Sequence, residues 1–579
     1  MERVIELLTR DGVIDQRKID LFVSKYGQER VNIENLIKVK IINTLDMDEV
    51  LIKELRMHMI EMDDLEGIQG IDTTRILKQI AKNLDIRYVE INDIDIDYKL
   101  LKRLPLKQLM RYNALPLYAE ESTVVVAFEN PSDFEAKGAV ERFFHGKIME
   151  VCIAKAQMIR QELLKIKTSE DVEEFSQEIK HDLTEGTIEM TEDSNASPAV
   201  LKLIETVLST AIDAKASDIH IEATEENCIV RYRVDGMLQE YFILEKIIFG
   251  PLASRMKLLS SLDIAEKRKP QDGRFTQIVK GHVFDFRVST LPTMFGESIV
   301  LRILDKSKAL VKLEEAGMNA KAYKQFTKGI KSPYGIMLVT GPTGSGKTTT
   351  LYGALNAIID VRDKIITVED PVEYQMGGIQ QVQVSSKTGL SFAAALRSIL
   401  RQDPDKIMIG EIRDQETLRI AIEAALTGHL VLSTLHTNDA ISAISRMQDM
   451  GIEDYLLAGA VVGIQGQRLV RKICDTCKEV EDVPLDNLTS ISKYLPKDAV
   501  FYHGKGCAVC NNKGYAGREM ISEVLLISEE LSTMIANGAT KDQMREQAFK
   551  EGFTTMLEDG INKALAGKTS VEEILRVAR

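Results

Sequence analysis

What this 579-residue chain lacks narrows its class before any motif is found. No stretch approaches the ~18 consecutive apolar residues needed to span a bilayer, so no membrane-crossing helix is expected. The opening residues, Met1-Glu2-Arg3-Val4-Ile5-Glu6, bring acids early and lead into no apolar run, so no secretory signal is expected either. The basic excess of a nucleic-acid-coating protein is missing: 74 Lys and Arg face 88 Asp and Glu, a net charge of −14. There is no internal repeat and no low-complexity tract. Of only six cysteines, Cys152 and Cys228 stand alone and read as buried packing residues. The expectation is a cytoplasmic protein that reaches a membrane through partners.

At this length one hydrophobic core does not suffice, and about four domains are expected. Residues 1–95 carry apolar residues at helical spacing with few Gly or Pro, and predict a helical domain. An α+β unit over 96–168 follows. In it Leu101–Leu115 reads as helix and Thr123–Phe128 as a β-branched strand ending in an Asn130-Pro131 turn. Residues 169–197 hold ten acids against one base, Lys180, and read as a flexible acidic linker. A small α+β domain over 198–306 opens with an amphipathic helix at Ala199–Ala211. Short strands follow at Ile219–Ile221, Cys228–Val234 and Phe284–Val288. From about Gly317 buried strands alternate with helices, the pattern of a parallel α/β sheet, and the last 60 residues read as helical.

The sharpest motif is Gly341-Pro342-Thr343-Gly344-Ser345-Gly346-Lys347-Thr348, which fits GxxxxGK[ST]. The apolar run Ile336–Thr340 leads in, and a helix starting with Thr349 leads out. Glycines let the backbone wrap close to phosphate oxygens, with its N–H groups and the helix N-terminus pointing at them. Lys347 supplies a point charge to the β- and γ-phosphates, and the Thr348 hydroxyl is a Mg²⁺ ligand candidate.

Two further strands end in acids. Lys364–Val368 leads to Glu369-Asp370-Pro371-Val372-Glu373, and Lys406–Ile409 leads to Gly410-Glu411-Ile412-Arg413-Asp414. Ligands of open α/β sheets sit at such C-terminal strand ends. Gly410 stands where a metal-assisting Asp is usual, leaving Glu411 to orient water or hold the metal through water. Glu369 is the candidate base or water-positioning residue, with Glu373 the alternative. His429 and His436 bracket the buried strand Val431–Leu435 and suggest a sensor coupling phosphate state to movement.

Together, GPTGSGKT, ITVEDPVE, IMIGEIRD and TGHLVLSTLHTND resemble the P-loop, Asp box, Walker B and His box of the secretion and pilus ATPase superfamily. The resemblance is to its type II secretion and type IV pilus assembly branch, in which a Gly at the Walker B position is usual. Ala216–Glu222, Lys269–Arg274 and Arg287–Pro292 extend the match. It runs from about residue 196 to the C-terminus, is looser over 97–165, where the chain looks like the family's adaptor domain, and nearly fails over 1–95. It implies a RecA-like P-loop ATPase domain over 315–579, the smaller α+β domain before it, N-terminal adaptor domains and C-terminal helices. It implies hexameric rings in which the small domain packs on a neighbour's ATPase domain, with Arg274, Arg287 and Arg302 approaching phosphates. It also implies ATP and Mg²⁺ as cofactors. Implied partners are an inner-membrane platform protein and a docking partner on the cytoplasmic face, with no direct nucleic acid. Some members bind cyclic-di-GMP through an N-terminal repeat containing Arg-Leu-Gly. Residues 1–95 contain no Arg-Leu-Gly, and that ligand is not expected.

The remaining cysteines, Cys474, Cys477, Cys507 and Cys510, form two CxxC pairs separated by 29 residues, longer than the common gap of about 15–20. Four thiolates suit a closed tetrahedral zinc site, with a redox pair as the alternative. The assembly branch carries a matching tetracysteine module, here 471–518, so Zn²⁺ joins the expected cofactors. The function expected is ATP hydrolysis that powers filament assembly or secretion. The alternatives are a pilus-retraction motor, a DNA-uptake or DNA-transfer motor, and an ATP-occupied scaffold with negligible turnover.

Overall fold

Short amphipathic helices begin the chain, each burying one stripe of apolar residues in a shared core. Glu2–Arg10 contributes Val4, Leu7 and Leu8, Thr44–Arg56 contributes Met47, Leu51 and Ile52, and Thr73–Asn83 contributes Ile76, Leu77 and Ile80. Side-chain caps fix their starts: Asn32 accepts from the Asn35 N–H at 2.8 Å and Asp72 from the Arg75 N–H at 3.1 Å. The computed structural model describes residues 2–26, 31–56, 60, 62–65, 68, 70–185, 197–305, 312–385, 388–481, 483, 491–492, 495–496, 499–510 and 513–578. The chain falls into two units, Met1–Glu174 grouped with Cys507–Asn512, and Phe175–Gly506 with Lys513–Arg579.

The first unit continues into a four-stranded sheet. Its strands are β1 (Arg87–Tyr88), β2 (Ala114–Ala119), β3 (Thr123–Phe128) and β4 (Ile148–Ile153), in the order β1-β4-β3-β2. Strand β3 has the predicted bounds. Leu101–Leu115 is not one helix. It breaks into Tyr98–Leu101 and Leu106–Arg111, separated by Pro105, and Ala114 and Leu115 pass into β2. The edge strand β1 comes from inside the stretch expected to be mostly helical, and pairs in parallel with Cys152 and Ile153.

The acidic stretch corrects the linker expectation. Helix Ala156–Thr184 runs unbroken through most of it. Val172, Phe175 and Ile179 recur at helical spacing, with Val172 and Ile179 buried and the acids Glu173, Glu174 and Glu178 exposed. Charge occupies one face and an apolar stripe the other, so composition alone misread it. Residues 186–196, the rest of the expected linker, lie outside the described residues.

In the second unit, helix Pro198–Asp213 packs on a six-stranded antiparallel sheet. It consists of β5 (Asp218–Ala223), β6 (Asn227–Val234), β7 (Met237–Glu245), β8 (Gln271–Val279), β9 (His282–Thr293) and β10 (Gly296–Asp305), ordered β7-β6-β5-β10-β9-β8. Burial alternates strictly along β6, as one covered face requires. The Tyr232 hydroxyl donates to the Val207 carbonyl at 2.7 Å and pins the helix to the sheet.

The larger sheet comprises β11 (Gly335–Thr340), β12 (Ile365–Glu369), β13 (Gln380–Gln383), β14 (Lys406–Ile409), β15 (Leu430–Leu435), β16 (Val461–Ile473) and, after the short hairpin β17 (Lys478–Glu481) and β18 (Phe501–Gly504), β19 (Tyr515–Leu526). Its order is β13-β12-β14-β15-β11-β16-β19, parallel except for the β16/β19 pair. Every residue of β11, β12 and β15 is buried, because helices cover both faces. β11 sits between β15 and β16, so the C-terminal ends of β11, β12, β14 and β15 open on one edge. Four short helices from Glu529–Ala536 to Val571–Val577 end the chain, their starts capped by Ser528, Thr540, Thr555 and Ser570. Among the described residues, no helix is long and apolar enough to cross a membrane.

Candidate nucleotide site and cysteine cluster

The loop after β11 is shaped by backbone that only glycine tolerates. Gly346 sits at φ 86° as the N-cap of helix Lys347–Ile358. A Cβ on Gly341 would lie 2.5 Å from the Gln467 carbonyl oxygen and 2.6 Å from Ser345 Oγ. Lys347 Nζ donates to the Gly341 and Pro342 carbonyls at 2.9 and 3.0 Å, folding the side chain across the loop. Burial pushes its ammonium down from the ordinary lysine range, Glu411 opposes this and Arg468 adds to it. An anion arriving over the loop offers Lys347 a stronger partner than two carbonyls.

A cavity of about 530 Å³ opens over the loop. Thr343, Gly344, Gly346, Lys347, Thr348 and Thr349 form its floor, while Gly341 and Ser345 are buried beneath. Glu369, Glu373 and Glu411 enter from the strand ends, joined by His436, Arg302, Arg413 and Arg518. The expected acids therefore meet the phosphate loop.

Their environments differ. Glu369 is 3% exposed and held by three donors: Tyr352 Oη at 2.5 Å on Oε2, and Thr367 Oγ1 at 2.6 Å and Gln381 Nε2 at 3.2 Å on Oε1. Glu411 pairs with the Arg413 guanidinium, which that bond holds above the ordinary arginine range, and lies 3.4 Å from His436 Nε2. Glu373 pairs with Arg287, Nη1 at 3.0 Å and Nη2 at 2.9 Å, and Arg287 Nη2 also donates to the Val372 carbonyl. At Gly410 an added Cβ would meet only ordinary contacts at 3.4 Å, so space does not demand glycine there.

Of the arginines expected near phosphates, Arg287 closes on Glu373 of its own chain, because the loop after β12 lies against β9. Arg274 is exposed and lines an adjoining cavity of about 810 Å³ with Arg287, Pro371 and Val372, whereas Arg302 lines both cavities. The two histidines also separate. His436 follows β15 into the phosphate cavity. His429 precedes that strand, its Nδ1–H donates to the Ala424 carbonyl at 2.9 Å, and its own carbonyl accepts from the Gly335 N–H where β11 begins. Six strand residues span about 20 Å, so His429 stands at the sheet edge opposite the loop.

Sequence reading missed the support beneath the loop. Gln467, fully buried in β16, donates to the Ser345 carbonyl at 2.8 Å and accepts from Thr350 Oγ1 and Gln465 Nε2, each at 2.9 Å. Two glutamines at alternate positions of an apolar strand share a face, and that was the available signal. Tyr352 and Arg518 gave no such signal.

The four paired cysteines converge, their Sγ atoms all within 4.8 Å of one another. Cys507 and Cys510 Sγ are 3.7 Å apart, close to the sulfur separation of about 3.8 Å that a tetrahedron of 2.3 Å Zn–S bonds requires. Backbone N–H groups of Gly506 and Cys507 point at Cys477 and Cys510 Sγ at 3.3 and 3.1 Å, which favours thiolates. The donor set fits zinc. Cys152 and Cys228 are buried, and burial pushes both thiols up to about 12.

A model of the type II/IV secretion system protein family matches residues 192–576, and one of the MshEN domain matches residues 84–172. The chain is 38% identical over 519 residues to the type IV pilus assembly ATPase PilB of Myxococcus xanthus, covering 87% of this chain and 91% of that protein. It is 47% identical over 387 residues to the type II secretion system protein HxcR of Pseudomonas aeruginosa, covering 67% and 79%. The solved structure of the Legionella pneumophila ATPase DotB aligns at a TM-score of 0.50 and 22% identity over 67% of this chain and 98% of that one, a likeness of fold.

Proposed function

This chain belongs to the type II/IV secretion system protein family, and on that premise we propose that it is the motor that assembles pilin-like filaments or drives protein secretion in a type II secretion or type IV pilus machine. It is a P-loop ATPase. The observation that carries the reading is the meeting of Lys347, Glu369 and Glu411 in one cavity over the Gly341–Thr348 loop.

In this reading Lys347 leaves its carbonyl partners for the β- and γ-phosphates. Thr348 and Glu411, which line the same cavity, would hold a magnesium ion. When bound, that ion neutralises charge on the phosphates. Glu369, fixed by its three donors, orients the attacking water and accepts its proton. Arg287 exchanges Glu373 for the γ-phosphate, so phosphate binding and release move the small domain against the larger sheet. His436, beside Glu411, senses that exchange. Six copies form a ring that works at the cytoplasmic face of the inner membrane through a platform protein and a docking partner. Zinc on the four cysteines is structural, since all four positions are filled by protein.

Direction of work is tested in cells. A Lys347→Ala strain should lack surface filaments or secreted substrate. An excess of filaments would mark a retraction motor and overturn the assembly reading.

A further inference from the structure

Tyr352 lies five residues after Lys347 on helix Lys347–Ile358 and is buried. A phenol carries one proton and can accept on its oxygen. Here the backbone N–H groups of Glu373 and Tyr374 donate to that oxygen at 3.2 and 3.4 Å. The proton is thereby committed to Glu369 Oε2, 2.5 Å away. Burial, reinforced by the Glu369 carboxylate, pushes the phenol well above the ordinary tyrosine range, so it stays a donor at every working pH. The segment it grips continues to Arg287, through the Glu373 carboxylate and the Val372 carbonyl. One hydroxyl therefore joins the P-loop helix, the acid at the end of β12 and the segment that holds the small-domain arginine.

We propose that Tyr352 is a positioning residue that holds the Glu369 carboxylate in place, and that its hydroxyl carries displacement of the P-loop helix to the 372–374 segment and Arg287. The inference rests on the assignment of Glu369 as the proton acceptor. Charged groups face Glu369 from every side of the cavity. Lys347 comes from the same helix, Asp370 and Glu373 from the loop, Arg302 from the small domain, Arg518 from β19, and Glu411, Arg413 and His436 from the neighbouring strand ends, while Arg287 reaches the site through Glu373. They are unchanged when only the phenol oxygen is removed. Tyr352→Phe keeps the ring and its edge contact with Tyr374, whose centroid is 6.0 Å away.

Removing a donor to a carboxylate favours its protonated form. At saturating MgATP, Tyr352→Phe should move the acid limb of the kcat profile to higher pH by about one unit, with KM for ATP changed less than about twofold. Replacing Tyr352 by 3,5-difluorotyrosine strengthens the donor without changing shape, and should move the limb to lower pH. A folded Tyr352→Phe protein with an unmoved limb overturns the proposal, as does a shift of the same sign in both proteins. Should Tyr352→Phe not fold, the fluorotyrosine protein decides alone: a limb that stays put or rises refutes the proposal. Glu369→Gln is measured in parallel. Wild-type turnover there removes the proton-acceptor assignment itself, whereas a dead Glu369→Gln with an unmoved limb in the tyrosine variants removes only the role of Tyr352.

Discussion

Glu573 offers a pH-dependent test of how the C-terminal helices hold the base of the cysteine module. Its side chain is fully buried against Arg471, accepting from Arg471 Nη2 at 2.6 Å and from the Arg471 backbone N–H at 3.0 Å. Arg576 adds donors at 2.8 and 2.9 Å. Burial pushes the carboxyl up, but the donors from Arg576 and Arg471 outweigh it and bring it to about 2, from an ordinary 4.5. Such a shift alone corresponds to about 3 kcal/mol, and screening by water brings the expectation to about 2 kcal/mol. A carboxyl whose pKa is depressed on folding stabilises above its unfolded value of 4.5, and that contribution disappears as pH falls towards 2. Glu573→Gln should therefore melt roughly 5 °C lower than wild type at pH 7.5. The gap should narrow as pH falls below 4.5. Scanning calorimetry of both proteins from pH 7.5 down to the lowest pH at which they stay soluble measures it. Equal melting at pH 7.5, or a gap that is the same at every pH, refutes the reasoning.

Elemental analysis should find about one zinc per chain, and Cys→Ser at position 474, 477, 507 or 510 should lower the melting temperature of the module, since metal binding contributes to its folding. Metal-free protein with unchanged melting counts against the site. His436→Ala should reduce turnover by about tenfold or more, whereas His429→Ala, at the far sheet edge, should stay within about twofold of wild type. Equal losses would contradict the separation of the two rings. Arg287→Ala should cut turnover by about a hundredfold or more. Mixing it with Lys347→Ala protein should restore nothing, because in the proposed reading Arg287 turns from Glu373 of its own chain to that chain's γ-phosphate. Activity regained in mixed rings would show that a neighbour supplies the arginine.

What the sequence made legible is mostly local. The phosphate loop is a contiguous run whose glycines answer to backbone geometry, and β3 matched its expected bounds because β-branched residues ended at a turn. The acids at the ends of β12 and β14 were found because each strand is short and mostly apolar. What escaped is long-range or disguised. Arg287 and Glu373 are 86 residues apart, and nothing near either announces the other. Gln467 reaches Ser345 across 122 residues. The helix through Val172, Phe175 and Ile179 was hidden by acids on its outer face. His429 and His436 look adjacent in the sequence, yet the extended strand between them carries them to opposite edges.

The central claim is that Lys347, Glu369 and Glu411 form one hydrolytic centre. Phosphate release by the purified chain with MgATP, compared with Glu411→Gln and Glu369→Gln after nucleotide binding has been verified, tests it most directly. Wild type should release phosphate in a Mg²⁺-dependent way. Each variant should bind ATP with little change and lose about a hundredfold or more in rate. Wild-type rates in both variants, or no phosphate release by the parent chain, would contradict the account.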